Sequence, residues 1–128
     1  MNGTPTVPAF YAALPGLDII REVGIARIRE KSRRMTAQLL DLVDRHGYRT
    51  VTSRDPERVA GTVAIDVTHA YEISKTLNAR DFVVDYRPGV GIRVSPHFYN
   101  TFEEIDRLVS EIGRIIHGRE YGIAATGV

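Results

Sequence analysis

Two long stretches of the chain place apolar residues three or four positions apart, which is the spacing of a helix with one buried face. The first stretch covers residues 24–47 and ends at Gly47, a residue type that often terminates helices. The second begins at Thr101, three residues before Glu104, as in a capping box. The apolar positions are Ile25, Ile28, Met35, Leu39, Leu42 and Val43, with Ser32 in the gap of the series, and then Phe102, Ile105, Leu108, Val109, Ile112, Ile115 and Ile116. We predict two long amphipathic helices.

Two further helices are predicted elsewhere. Residues 8–22 are largely apolar, and we expect a helix there that is interrupted at Pro15-Gly16. Proline disfavours the helical conformation of the residue before it and can itself start a new helix. Residues 68–80 predict a short helix with Thr68 as its N-cap.

The strands are predicted from alternation and from turn residues. Residues 62–67 alternate apolar and polar side chains, which is typical of a half-buried strand. Residues 82–86 and 91–95 predict two strands joined by a turn at 87–90, and residues 48–53 predict a further short strand. The short turn favours a hairpin, so the sheet is expected to be largely antiparallel.

This order of elements predicts an α+β fold. We expect a two-layer sandwich, in which helices cover one face of a small, mainly antiparallel sheet. The 128 residues, 43% of them hydrophobic, fit a single domain over 1–128. Residues 118–128 have no periodicity and predict a loose tail.

Composition and charge exclude several classes of protein. The net charge is +1, and no apolar run has the length of a bilayer span, so neither nucleic acid nor a membrane is indicated as a partner. The first residues do not have the pattern of a signal peptide, and the expected location is cytoplasmic. A basic run at residues 27–34 lies among helix positions, and a solvated helix face is favoured there over a nucleic-acid site. Its cations are Arg27, Arg29, Lys31, Arg33 and Arg34.

Residue types for catalysis are scarce. The chain has no cysteine, and no two of its four histidines have the spacing of a metal-binding pair, so no metal site is expected. Glycine-rich nucleotide motifs and a GxSxG nucleophile motif are absent. Lys31 and Lys75, the only lysines, fall in predicted helices and are not expected to be buried, unlike a Schiff-base lysine. The residues predict a ligand-binding surface and no catalytic residue.

Arg93 is the charged residue of an otherwise apolar strand. Alternation places it on the opposite face from Ile92 and Val94, so it projects from the face that the helices leave uncovered. A planar guanidinium on a rigid strand suits bidentate binding of a carboxylate. The alternative is an ordinary strand arginine paired with Asp85 or Asp66, and spacing alone favours this alternative.

The segment 83-VVDYRPGVGIRVSPHFYNTFEEIDRL-108 resembles the C-terminal part of kynureninase-like proteins, in the class V aminotransferase family of pyridoxal-phosphate enzymes. The resemblance extends through residues 2–32 and 61–89 in the family's order, and so covers nearly all of the chain. Other class V members share only the arginine strand and the acidic helix after it, without the PHFYN run. The fold implied is the C-terminal small domain of such an enzyme.

The resemblance also implies roles for individual residues. Arg93 corresponds to the arginine that binds the substrate α-carboxylate. Thr4 corresponds to the threonine that contacts the cofactor phosphate, and Asn2 and Gly3 shape the same turn. Residues 95–100 follow the arginine strand and are expected to hold it in place. Within them, His97 and Tyr99 are expected at the border of the site.

The activity implied is hydrolysis of kynurenine to anthranilate and alanine with pyridoxal 5'-phosphate, by a homodimeric parent enzyme. In this family the Schiff-base lysine lies upstream of the turn that holds Thr4, so we expect residues 1–16 to follow a large domain missing here. On that basis the chain alone is expected to be inactive. Two alternatives stay open: another class V aminotransferase or lyase acting on a different amino acid, and a stand-alone, non-catalytic amino-acid-binding module.

Overall fold

The computed structural model describes residues 6–122, and the chain divides into two compact units. The first unit ends at Lys31, and the second begins at Ser32. Helix α1 (Val7–Val23) belongs to the first unit, and helix α2 (Ile25–Arg45) begins in the first and continues into the second. All strands and the remaining helices described below belong to the second unit.

Helix α1 runs without a break through Pro15, so the interruption predicted at Pro15-Gly16 is wrong. Proline in a helix loses one backbone hydrogen bond, but its fixed φ is itself helical, so the chain can continue. The helix ends at Val23, and the Gly24 amide after it, at a φ of 87°, donates to the Ile20 carbonyl. The glycine therefore marks the break between α1 and α2.

Helix α2 confirms most of the predicted apolar stripe. Met35, Leu39 and Val43 are fully buried, and Gly47 follows the helix with a φ of +67°. Ile25, at the start of the stripe, is 71% exposed, so its predicted burial is wrong. Periodicity identifies the face of a helix but does not identify how far along its length another element covers that face.

Three short strands form the sheet: β1 (Val63–Ile65), β2 (Asp85–Arg87) and β3 (Gly91–Val94). Strand β3 lies in the middle and pairs antiparallel with both neighbours. The predicted antiparallel sheet and its hairpin are therefore confirmed. The strand predicted over 48–53 is reduced to an isolated bridge between Arg49 and Asp66.

Helices α3 (Ala70–Ala79) and α4 (Phe102–Gly118) complete the second unit. The capping box of α4 is confirmed: the Thr101 side chain accepts a hydrogen bond from the Glu104 amide, and the Glu104 side chain accepts one from the Thr101 amide. At α3 the N-cap is His69, with a left-handed φ of 62°, and not Thr68. The first bond of that helix runs from the Ile73 amide to the His69 carbonyl, so the helix begins one residue later than predicted.

The core lies between the helices and one face of the sheet. Ile92 and Val94 of β3 and Val63 and Ile65 of β1 point into it, so helices cover this face as predicted. The other buried apolar residues of the cluster are Met35, Leu39, Val43, Ala70, Ile73, Leu77, Ile105, Leu108, Val109, Ile112 and Ile115. The opposite face of the sheet is where Arg93 projects.

Part of the tail at residues 118–128, which is predicted to be loose, contacts other residues of the second unit. A short 3-10 helix (Glu120–Gly122) follows α4. Glu120 forms an ion pair with Arg80, and the Tyr121 ring stacks on His69 at 4.4 Å between centroids. Tyr121 also packs against the core. Residues 123–128 of this tail lie outside the described residues.

Candidate functional site

The candidate site is the sheet face opposite the core, where three residues form a row across the strands. Ala64 of β1, Arg93 of β3 and Asp85 of β2 are paired in register. Directly opposed side chains in an antiparallel sheet share a face and lie close together. The register therefore brings a guanidinium and a carboxylate together at the sheet surface.

Asp85 is the residue that pairs with Arg93. The Arg93 Nε donates to Asp85 Oδ2 at 3.0 Å, and Nη2 donates to the same oxygen. Both side chains are partly exposed, at 38% for Arg93 and 49% for Asp85. The hydrogen bond from Arg93 lowers the pKa of Asp85 below its ordinary value, against a smaller opposing effect of desolvation. Asp66, the other partner considered from the sequence, pairs with Arg49.

A second arginine contacts the same carboxylate. Arg87 lies two residues after Asp85 on β2, and its Nε is 3.4 Å from Asp85 Oδ2. Asp85 thus lies between two guanidinium groups, and the group of three carries one net positive charge. The sequence reasoning missed Arg87. The sequence pattern that identifies Arg87 is the Asp-x-Arg spacing of β2, which places Asp85 and Arg87 on the same face of the strand.

Gly91 allows β3 to approach β1 closely at the start of the arginine strand. Its φ is +102°, and a Cβ atom there would clash with the Ile65 carbonyl oxygen and lie 2.9 Å from the Asp66 Cα. Both the conformation and the space exclude a side chain at this position. The strand that holds Arg93 is therefore fixed against its neighbour by backbone contacts.

The segment after the strand is tied at both ends. Ser95 Oγ and Thr62 Oγ1 are hydrogen-bonded at 2.8 Å, which joins the end of β3 to the residue before β1. The His97 amide donates to Asn100 Oδ1 at 2.8 Å, and Asn100 Nδ2 donates to Glu104 Oε2 at 3.0 Å. These bonds link the segment to the capping box of α4.

His97 and Tyr99 form an aromatic cluster of their own with Phe98. The His97 and Tyr99 rings stack with centroids 4.7 Å apart, and Tyr99 is largely exposed. Within residues 6–122, no hydrogen bond, ion pair or ring contact joins either residue to Arg93. Their place at the border of a site stays a prediction. Asn2, Gly3 and Thr4 lie outside the described residues.

Among residues 6–122, two cavities near the sheet have no contribution from Arg93 to their walls. One of about 430 Å³ lies beside the N-terminal part of α4, with Ser95, Asn100 and Arg107 in its wall. The other, of about 520 Å³, lies near the start of α3, with Arg49, His69 and Tyr86 in its wall. The Arg93 side chain lies outside the walls of these two cavities and is 38% exposed.

Neither a metal centre nor a membrane helix is found in the described part of the chain. Across residues 6–122, no group of three or more histidine, aspartate or glutamate side chains could hold a metal ion. No helix in the same range is long and apolar enough to cross a bilayer. The arginine–carboxylate group on the sheet has the chemistry of an anion-binding site, because two guanidinium groups lie beside one carboxylate.

Comparison with known proteins gives the sequence family. A sequence profile described as kynureninase C-terminal domain matches residues 28–112, which include Asp85 and Arg93. The kynureninases of Bacillus cereus and Bacillus anthracis are each 32% identical over 124 residues, and the uncharacterized aminotransferase YcbU of Bacillus subtilis is 30% identical over 117 residues. The alignments cover 93%, 93% and 91% of this chain. They cover 29%, 29% and 31% of the relatives, so the chain spans less than a third of their length.

Solved structures share the fold. The apo cysteine desulfurase from Thermococcus onnurineus NA1 superposes with a TM-score of 0.79 at 20% identity, over 92% of this chain and 33% of that one. A NifS-like protein superposes with a TM-score of 0.73 at 21% identity, over 91% and 35%. At these identities the likeness concerns the architecture of helices around a small antiparallel sheet.

Proposed function

The chain belongs to the family of kynureninase C-terminal domains, and on that premise we propose that it supplies the substrate-carboxylate contact of a class V, pyridoxal-phosphate-dependent enzyme. The observation that carries the proposal is the placement of Arg93. It stands on the central strand, on the face away from the core, within a group of three residues whose net charge is positive. This geometry suits an anionic ligand approaching from the open side of the sheet.

The second part of the proposal concerns the reaction that the enzyme catalyses. The kynureninases that match this chain support kynurenine as the substrate, with cleavage of its Cβ–Cγ bond by water to give anthranilate and alanine. In that reaction Arg93 binds the α-carboxylate and so orients the bond to be cleaved. The match to an aminotransferase keeps the alternative of another class V reaction on a different amino acid.

The cofactor proposed is pyridoxal 5'-phosphate, which supplies an electron sink when bound. The two lysines within residues 6–122, Lys31 and Lys75, are not buried, unlike a Schiff-base lysine. The Lys75 Nζ lies 5.5 Å from the centroid of the Tyr71 ring, on the exposed side of α3. We propose that the Schiff-base lysine and most of the cofactor site belong to the part of the relatives that this chain does not span, with Thr4 contacting the phosphate.

The surface of α1 supports a large domain as the partner. Phe10, Leu14 and Leu17 follow one another at helical spacing, and each is at least half exposed. Apolar side chains repeated along a helix normally pack against another element. We propose that this helix packs on the large domain, in a cytoplasmic enzyme that functions as a homodimer.

The test uses the complete gene product that carries this chain, assayed for release of anthranilate from kynurenine. Arg93→Ala is expected to raise KM about 10- to 100-fold, since hydrogen bonds to a charged group are lost. Arg45→Ala is the matched control, because Arg45 is an exposed arginine of α2 paired with Asp41. An unchanged KM in Arg93→Ala would reject the role of Arg93.

The two alternatives, an aminotransferase and a stand-alone binding module, predict different results with the same proteins. Formation of a keto acid without anthranilate would favour an aminotransferase. Saturable binding of kynurenine by the 128-residue chain alone, with no turnover by the complete gene product, would favour a stand-alone binding module.

A further inference from the structure

The contact between Asp85 and Arg93 uses one edge of the guanidinium. Both donors, Nε and Nη2, bond to the same oxygen, Asp85 Oδ2. In a planar guanidinium these two nitrogens form the side edge, and Nη1 together with the outer N–H of Nη2 forms the end. The described residues make their hydrogen bonds to Arg93 at the side edge, and none of them forms a hydrogen bond with the end.

We propose that Asp85 is a positioning residue, which holds Arg93 by its side edge so that the guanidinium end is presented to the substrate α-carboxylate. This inference rests on the proposed function of Arg93. Arginine is a long side chain with several freely rotating bonds, and an unrestrained guanidinium must be ordered when ligand binds. A carboxylate directly opposite on the neighbouring strand fixes the guanidinium before the ligand binds.

The charges around the pair allow a second anion to bind. Asp85 also lies 3.4 Å from the Arg87 Nε, so its negative charge is shared between two arginines. The group of three therefore keeps a net positive charge while Arg93 is held. A lone Asp85–Arg93 pair would be neutral overall and would attract a substrate carboxylate more weakly.

A competing role for Asp85 predicts the opposite change in KM when its charge is removed. If Asp85 only occupied Arg93 until substrate displaced it, removing its charge would strengthen substrate binding. Positioning instead requires that the same change weaken binding. The direction of the change in KM therefore separates the two roles.

The experiment measures kynurenine kinetics in the complete gene product for Asp85→Asn, Arg93→Ala and the double variant. Asp85→Asn keeps the shape of the side chain, and we expect KM to rise about 10-fold with kcat within about twofold of the parent. In the Arg93→Ala background, the Asp85→Asn change is expected to alter KM by less than about twofold, because the residue through which Asp85 acts is gone. Asp66→Asn, which disrupts the Arg49 pair next to β1, is the control and is expected to leave KM unchanged.

The outcomes are distinct. A lower or unchanged KM in Asp85→Asn, with a raised KM in Arg93→Ala, overturns the positioning role and leaves the proposed function in place. An unchanged KM in Arg93→Ala overturns both. An Asp85→Asn effect of the same size in the Arg93→Ala background shows that Asp85 acts on the fold in general, which also overturns the inference.

Discussion

Arg80, at the C-terminal end of α3, donates a hydrogen bond to Glu111 in the middle of α4 and so joins the two helices. Arg114 donates to the same carboxylate from one turn further along, at 2.9 Å from Nε and 2.7 Å from Nη2. The Glu111 side chain is only 11% exposed. A carboxylate this enclosed, with two arginine partners, ties α3 to α4.

Glu111→Gln is predicted to destabilise the fold in a pH-dependent way. The hydrogen bond from Arg114 lowers the pKa of Glu111 from its ordinary value of 4.5; desolvation opposes this, and Arg80 lowers it further. A lowered pKa stabilises the fold above pH 4.5, and this contribution is lost as the pH falls through the folded pKa. We expect a loss of about 1 kcal/mol at pH 7 that shrinks below about pH 4.5.

Urea unfolding of the 128-residue chain at about pH 7 and about pH 3.5 measures this difference. Asp41→Asn is the control, since Asp41 forms an exposed pair with Arg45 and should change stability by less than about 0.5 kcal/mol. A Glu111→Gln effect that is equal at both pH values would contradict the ionic origin of the stabilisation.

Gly91→Ala is predicted to be far more damaging than Gly89→Ala. Both glycines have positive φ, but a Cβ at Gly91 would clash with the Ile65 carbonyl oxygen, whereas a Cβ at Gly89 meets nothing within 4 Å. Gly89→Ala should cost about 1 kcal/mol from its left-handed conformation. Gly91→Ala should cost at least about 2 kcal/mol more, because backbone atoms must move. Equal midpoints of urea unfolding would contradict this description of the β1–β3 contact.

Thr101→Ala is predicted to lower the free energy of unfolding by about 1 kcal/mol. The substitution removes the oxygen that accepts the Glu104 amide and leaves one end of the capping box open. Thr101→Ser keeps the oxygen and should stay within about 0.5 kcal/mol of the parent. Thermal unfolding followed by circular dichroism compares the two variants, and an equal loss in both would show that the hydroxyl is not the cause.

The isolated chain is predicted to self-associate through α1. Phe10 is 63% exposed on this helix, in line with Leu14 and Leu17. Sedimentation velocity over a range of concentrations should show association that Phe10→Glu weakens about tenfold or more. Ala12→Glu adds the same charge on the opposite side of the helix and should have a smaller effect. A chain that stays monomeric at high concentration would contradict the prediction.

The features that could be predicted from the sequence are those set by local periodicity. The capping box at Thr101 and the projection of Arg93 from the face opposite Ile92 and Val94 both follow from short-range spacing, and both are found. The choice between Asp85 and Asp66 as the partner of Arg93 could not be made, because it depends on strand register. The hairpin sets that register and places Asp85 opposite Arg93.

Other features depend on what surrounds an element. The chain passes Pro15 without a break, although the local preference of proline favours an interruption. The short strand predicted over 48–53 has a pairing partner only at Arg49, so most of its residues cannot form a ladder. Propensity gives the conformations a segment can adopt, and neighbouring segments decide which of them is formed.

The position of β3 between β1 and β2 determines when this strand is lost during unfolding. An edge strand can separate from a sheet while the rest stays intact, but a central strand is released only when both neighbours leave it. Backbone amides of β3 are therefore expected to exchange with deuterium at the rate of global unfolding. Denaturant should then abolish the proposed ligand recognition by Arg93 and the tertiary fold at one and the same midpoint.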